Sequence, residues 1–272
     1  MERSVEYITS RQNPLVKLTA SLSDRKFRDR EGLFRFDGIK LLREAAAAEL
    51  SIKHVICREP LSAAVEREIE GLIGSGRISE NCVVYVSESV FEKLSEEKSP
   101  EGVLTVAHTL SQESSCGLPA EKERILIAES LRDPGNLGTV MRSCYALGID
   151  RLVLTDDCAD AYNPRTVRAA MGALFRMKVQ RVPAGELCAY IEKLRESGRG
   201  VYATALSERS VSIFDIDLKA GDCFVIGNEG HGLTESTVEA CTRPVIIPMR
   251  EGAESLNAAA AAAICIWETV KA

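Results

Sequence analysis

From Arg124 to the last residue, short apolar runs alternate with helix-period segments, and this alternation restricts the fold more than any other feature of the chain. The runs "RILIAES", "RLVLT", "RMKVQRV", "GVYATAL", "DCFVIGN" and "RPVIIPM" read as strands. Between and after them, "PRTVRAAMGAL", "GELCAYIEKLRES", "LTESTVEAC" and "SLNAAAAAAICIWETVKA" read as helices. Strands that apolar, joined by helices, predict a mostly parallel sheet covered on both faces. The first half also alternates, from a helix near Pro14–Leu22 through "LFRFDG", "IKLLREAAAAEL", "KHVIC", "SAAVEREIEGLI", "CVVYVS" and "SVFEKLSE" to "GVLTVAH". Residues 109–123, "TLSQESSCGLPAEKE", lack periodicity and have the composition of a linker. The expected organisation is therefore an α/β domain over 1–108, a linker over 109–123 and a second α/β domain over 124–272.

Charge narrows the function. The net charge is -6, yet residues 25–43 hold seven Lys/Arg against three acids, and residues 164–181 hold five against none. Residues 44–120 carry thirteen Glu, no Asp and six Lys/Arg, so a polyanion would be confined to the two basic stretches. No apolar run reaches the length of a membrane span, and the start lacks the apolar centre of a secretory signal, which points to the cytoplasm with no membrane partner. The nine cysteines, Cys116 among them, are scattered without a C-x-x-C pair, and the chain has only three histidines; buried free thiols, and no metal, are expected.

Ligands of parallel α/β sheets bind where loops converge at the carboxyl ends of the strands. Three unusual loops occupy such ends: "SLRDPGN", "GNEGHG" and "MREGAESLN". In the first, Asn136 can cap a helix that ends at Gly148. In the second, Gly227, Gly230 and Gly232 allow close approach to a ligand or a sharp turn. Neither G-x-G-x-x-G nor G-x-x-x-x-G-K-[ST] occurs, which disfavours nicotinamide and nucleoside triphosphate enzymes.

The stretches "DPGNLGTVMR", "VIGNEGHGL" and "IIPMREGAESLNAAAAAA" resemble, in order and spacing, the three motifs of the SpoU (TrmH) branch of the SPOUT methyltransferases. Upstream, "RKFRDREGLFRFDGIKLLREA" with "SPEGVLTVA" is similar to the RNA-binding substrate domain of ribosomal RNA members of that family. The resemblance implies S-adenosylmethionine-dependent methylation of an RNA ribose 2'-hydroxyl, ribosomal RNA before transfer RNA. It also implies a deep trefoil knot in the second domain and a homodimer built through that domain. A noncatalytic RNA-binding protein on the same scaffold would have lost the polar motif residues, and none is lost here.

By the same resemblance, Asn136, Arg142, Glu229, Ser255 and Asn257 form the catalytic set. Thr204, Ala205, Leu206, Gly227, Ile247, Met249 and Leu256 surround the cofactor. Arg142 is implied as the central catalytic residue; a guanidinium is nearly always protonated, so a grip on an RNA phosphate is the easier role. Glu229 either accepts the hydroxyl proton or holds Arg142. The alanines after Asn257 depart from the family, which usually has a larger residue and a serine there. His231 is assigned no role. For RNA, the basic stretches offer Arg25, Lys26, Arg28, Arg30 and Arg35, with Arg165 and Arg168; Phe34 and Phe36 alternate onto one strand face, where a core role competes with base stacking.

Overall fold

The computed structural model describes residues 7–97, 99–110, 117–250, 252 and 255–271; Cys116, much of the expected linker, and Glu251, Ala253 and Glu254 of the third loop lie outside them. In chain order the first half contains β1 (Tyr7–Ile8), α1 (Pro14–Ser21), α2 (Arg25–Glu31), β2 (Leu33–Asp37), α3 (Ile39–Ala47), β3 (Ile52–Glu59), α4 (Ala63–Gly74), β4 (Val83–Ser87), α5 (Glu88–Leu94) and β5 (Val103–His108). There follow β6 (Ile125–Ala128), α6 (Pro134–Leu147), β7 (Arg151–Thr155), α7 (Pro164–Ala170), β8 (Lys178–Val182), α8 (Leu187–Glu196) and β9 (Val201–Thr204). The chain closes with β10 (Val211–Ser212), β11 (Cys223–Ile226), α9 (Glu235–Ala240), β12 (Arg243–Ile246) and α10 (Ala258–Lys271).

Two compact units result, Met1–Leu110 with Tyr162–Phe175, and Ser111–Ala161 with Arg176–Ala272. In the first, a sheet of order β1-β4-β3-β5-β2 mixes parallel and antiparallel pairs. Its edge strand β2 divides its side chains by alternation. Leu33 joins the apolar cluster under α1 and α5. Phe34 and Phe36 meet Tyr162 and Phe175, with ring centroids 4.8 Å apart for Phe34–Tyr162 and 5.3 Å for Phe36–Phe175. A cut made in the chain alone does not describe this arrangement, because the crossover between β7 and β8 belongs to the first unit.

The crossover is shaped for that position. Asn163 caps α7, with Pro164 in its first turn, and Met171 ends it in the left-handed region at φ 49. Gly172 follows at φ 87, where a Cβ would stand 2.8 Å from that of Glu44. Leu110 N–H donates to Tyr162 Oη at 3.0 Å, and Arg168 pairs with Glu97 at 3.5 Å.

The second unit carries a seven-stranded sheet of order β10-β12-β9-β11-β6-β7-β8, every neighbouring pair parallel. Its adjacent strands β6, β7 and β11 have no exposed residue, whereas β8, β10 and β12 toward its edges are partly exposed. Parallel strands point their carboxyl ends the same way, so the loops after β6, β11 and β12 emerge on one side. The eight described cysteines are free, seven of them buried, and burial pushes the thiols of Cys57, Cys241 and Cys265 up to about 12. No described helix is long and apolar enough to cross a membrane.

Two expectations change. α6 is capped by Asp133, whose carboxylate accepts from Asn136 N at 2.8 Å, with Pro134 in the first turn. Asn136 is thus inside the helix and its amide is free for other bonds. The second change is α2, a helix capped by Asp24 and closed by Gly32 at φ 62, where the charge run disclosed no element.

Phe34→Ala removes a fully buried ring from between the sheet and the crossover. Truncations of this kind cost about 3–5 kcal/mol. Chemical denaturation followed by fluorescence or circular dichroism should register that loss in the first unit, with the second unit's transition unchanged.

Candidate active site

The three motif loops meet through two side-chain amides. Asn257 precedes α10, and its Oδ1 accepts from Ala259 N at 3.0 Å and Ala260 N at 3.3 Å. That cap fixes the amide's orientation, since only the oxygen can accept from helix N–H groups. Nδ2 must then point away, and it donates to Asn136 Oδ1 at 2.9 Å. With its oxygen engaged, Asn136 turns Nδ2 to Glu229 Oε1 at 3.0 Å. The same oxygen also receives Asp133 N–H at 3.4 Å, at the positive end of α6. A directed row, Asn257 to Asn136 to Glu229, therefore starts at the α10 terminus and ends on an exposed carboxylate.

Residues outside the expected set hold Glu229 where it is. Its loop is pinned at both ends to the stretch after β6. At the near end, Asn228 Nδ2 donates to Ser130 O at 2.8 Å, while its Oδ1 accepts from Gly230 N and His231 N at 2.8 and 3.2 Å. At the far end, the buried carboxylate of Glu129 accepts from Thr234 N at 3.0 Å, Thr234 Oγ1 at 2.8 Å and Thr237 Oγ1 at 2.9 Å. Asn228 and Gly232 exchange backbone hydrogen bonds of 3.0 and 2.9 Å, which closes the loop on itself. Ser130 adopts φ 54, an uncommon conformation for a residue with a side chain. Sequence reading passed over Glu129 and Thr234 because an acid after one strand and a threonine before a short helix each look ordinary. Only their pairing across the sheet makes them a clamp.

The loop's glycines separate by cause. A Cβ on Gly227 would lie 2.4 Å from Gly232 C, so its bareness serves the loop's own closure. Gly232 has φ 68 and needs the left-handed region. Gly230 has neither constraint, its nearest neighbour being Asn228 Oδ1 at 3.4 Å.

Of the remaining expected catalytic residues, Ser255 is exposed two residues before Asn257. Arg142 lies on the exposed stripe of α6 and makes no hydrogen bond or ion pair with a described residue. Six residues carry it about 9 Å along the axis, about one and two-thirds turns past Asn136. Around the expected cofactor positions, Thr204 Oγ1 donates to Val225 O at 2.9 Å and Ala205 N to Val245 O at 3.1 Å, which locks the end of β9 between its neighbours. Beyond this lock Leu206 is 86% exposed, and Met249 and Leu256 are 42% and 40% exposed, large apolar side chains at the same end of the sheet; Ile247 is half-buried beside them.

The basic residues of the first unit divide. Arg28 is buried and donates to Leu22 O and Ser23 O at 2.8 and 2.7 Å, and Arg35 is buried against Leu94 O and Glu96. Both are committed inside the unit, where a guanidinium closing carbonyls at helix ends is worth more than a solvated one. Arg25, Lys26, Arg30 and Arg165 are exposed, Arg25 near Asp29 and Arg30 over the Phe27 ring, and Arg168 is exposed beside Glu97. Phe34 and Phe36 are core and offer no face to a base.

Residues 123–267 match the model of the SpoU rRNA Methylase family, and residues 13–105 match an MRM3-like substrate binding domain. The chain belongs to the SpoU rRNA methylase family. It is 30% identical to the 23S rRNA (guanosine(2553)-2'-O)-methyltransferase RlmP of Bacillus subtilis over 97% of this chain and 98% of that protein. Among solved structures it resembles an AdoMet-bound rRNA methyltransferase from Sinorhizobium meliloti, with TM-score 0.81, 28% identity and 98% of each chain covered. The SpoU methyltransferase AviRb from Streptomyces viridochromogenes, solved with AdoMet, gives TM-score 0.81 at 26% identity, covering 96% of this chain and 98% of that one.

The directed row makes a separable prediction. Asn257→Ala removes cap and donor together and should cost about 1 kcal/mol of stability. Asn257→Asp keeps an accepting cap but cannot donate to Asn136, so its melting temperature should stay near wild type. Equal melting losses in the two variants would contradict the capping origin of the row.

Proposed function

We propose that this chain transfers a methyl group from S-adenosylmethionine to a ribose 2'-hydroxyl of ribosomal RNA. The observation that carries the reading is the hydrogen-bonded row joining Asn257, Asn136 and Glu229 across three loops at one end of a parallel sheet. The AdoMet-bound relatives support the cofactor, and the ribosomal RNA methyltransferases among the relatives support the substrate. The deep trefoil knot is part of the same reading, supported by likeness to those structures over nearly the whole chain.

The residues present suit the cofactor. Leu206, Met249 and Leu256 are exposed apolar side chains that an adenosyl group would cover, and Thr204, Ala205, Gly227 and Ile247 would hold it beside them. S-adenosylmethionine bound there supplies an electrophilic methyl on a sulfonium. Apolar walls give little stabilisation to that positive charge, so its loss during transfer is favoured. Ser255, Asn257 and Asn136 orient the ribose for in-line attack. Glu229 uses Oε1 for the row and offers its other oxygen to the hydroxyl proton. Arg142 holds a phosphate beside the target, and its guanidinium stabilises the developing alkoxide.

RNA beyond the target is held by the first unit through Arg25, Lys26, Arg30, Arg165 and Arg168, a role supported by the substrate-binding domain match. The reading includes a homodimer through the second unit. α6 packs along α10, and Tyr145 and Trp267 on these helices are 48% and 53% exposed, apolar surface that a second copy would cover. The free thiols suit the cytoplasm.

Calorimetry should detect S-adenosylmethionine binding with no metal added. Arg142→Ala should lower methyl transfer to RNA by about two orders of magnitude or more, with cofactor Kd and melting temperature unchanged. Parallel loss of cofactor affinity would make Arg142 structural.

A further inference from the structure

The first motif loop turns at Ser130, whose φ of 54 is a costly conformation for a residue with a side chain. Every polar atom of that serine is occupied. Its N–H donates to Thr155 Oγ1 at 2.8 Å, its hydroxyl donates to Asp157 Oδ2 at 2.5 Å, and its carbonyl accepts from Asn228 Nδ2 at 2.8 Å. Two of the three partners lie where β7 ends, and β7 is the neighbour of β6 in the sheet.

The turn after β7 is built to receive that serine. Thr155 is fully buried and has one hydroxyl proton, which it donates to Asp157 Oδ1 at 2.6 Å; its lone pairs are then left for Ser130 N–H. Asp157 thus takes one hydroxyl from each of the two neighbouring strand ends. Partial burial raises its carboxyl, but the bonds from Ser130 and Thr155 outweigh that and hold it below the ordinary aspartate value. The next residues continue the attachment. Leu131 N–H donates to Cys158 Sγ at 3.3 Å, and Ala159 N–H donates to Leu131 O at 2.8 Å. Asp156 is committed elsewhere, accepting Ala184 N–H at 2.9 Å. Arg132 stands 3.6 Å from Asp157 with its side chain 71% exposed, a solvated pair that contributes little.

Two routes lead from Ser130 to Glu229. One passes through the Ser130 carbonyl to Asn228, the residue before Glu229. The other follows the chain to Asp133 N–H and the Asn136 amide, both of which donate to Glu229 Oε1. A relaxation of Ser130 to the right-handed region would redirect its carbonyl and the onward chain together. We propose that Asp157 is a positioning residue of methyl transfer: by accepting the Ser130 and Thr155 hydroxyls it holds Ser130 in the left-handed region, and so fixes where Asn136 and Glu229 stand. The proposal rests on the methyltransferase reading and adds to it a residue outside the hydrogen-bonded row.

Glycine adopts the φ of Ser130 without support. The test therefore places Asp157→Ala in two backgrounds, the wild-type full-length chain and Ser130→Gly. In the wild-type background it should lower kcat for methylation of large-subunit ribosomal RNA transcribed in vitro by about tenfold or more, with the chain folded and the KM for RNA unchanged. In the Ser130→Gly background it should change kcat by less than about twofold. Amide hydrogen exchange over residues 228–233 should rise in Asp157→Ala and return toward the wild-type pattern when Ser130→Gly is added. An equal fall of kcat in both backgrounds, or no fall in either, would overturn the proposal. So would the same fall in Arg132→Ala, which would trace the effect of Asp157 to that ion pair. If the wild type methylated no ribosomal RNA while the exchange pattern held, the methyltransferase reading would fail and the hold of Asp157 on the loop would stand.

Discussion

The site depends on the amino terminus of one helix. α10 presents unsatisfied N–H groups, and Asn257 is the side chain that accepts from them. An amide that accepts on one atom must donate from the other, so satisfying the helix also dictates which way Asn136 faces and which atom reaches Glu229. Three loops far apart in sequence are thereby brought into one hydrogen-bond sense. A local requirement of helix termination becomes the polarity of the candidate active site.

Such a row works only if its far end stays in place, and the second unit supplies two anchors for that. Glu129, buried at the end of β6, gathers three donors from Thr234 and Thr237. Asn228 ties the other end of the loop to Ser130 O. A buried carboxylate without partners would be costly, so the clamp and the acid require each other. Between the anchors, Gly227 and Gly232 let the backbone fold on itself closely enough that Glu229 faces outward. The parallel sheet puts both anchors on one side, because all its strands end there.

Much of this was legible in the residues. Strands such as Ile125–Ala128 and Cys223–Ile226 announce themselves by unbroken apolar runs, and Gly148 at φ 81 ends α6 where its position indicated. The polar residues of the three loops were recognisable as a set, though not the order in which they bond. The cap of α6 was misassigned because Asp133 and Asn136 are both capping residues; the preference of proline for the first helical position, here Pro134, was the signal that separates them. Helix α2 was hidden since Phe27 alone interrupts its charges, too little for a period. The partnership of Tyr162 and Phe175 with Phe34 and Phe36 is a tertiary choice with no local signature, and so is the burial of Arg28 and Arg35. A cluster of arginines in a sequence does not distinguish those that cap helices from those that meet solvent.

On the proposed function, the joined loops of the second unit methylate one class of atom, a ribose oxygen of ribosomal RNA. Nucleotide-resolution mapping of 2'-O-methylation in cells with and without the gene tests it most directly. One ribosomal ribose should lose its methyl group on deletion, regain it with the wild-type chain, and fail to regain it with Asn136→Ala expressed at the same level. An unchanged ribose map, or restoration by Asn136→Ala, would contradict the account.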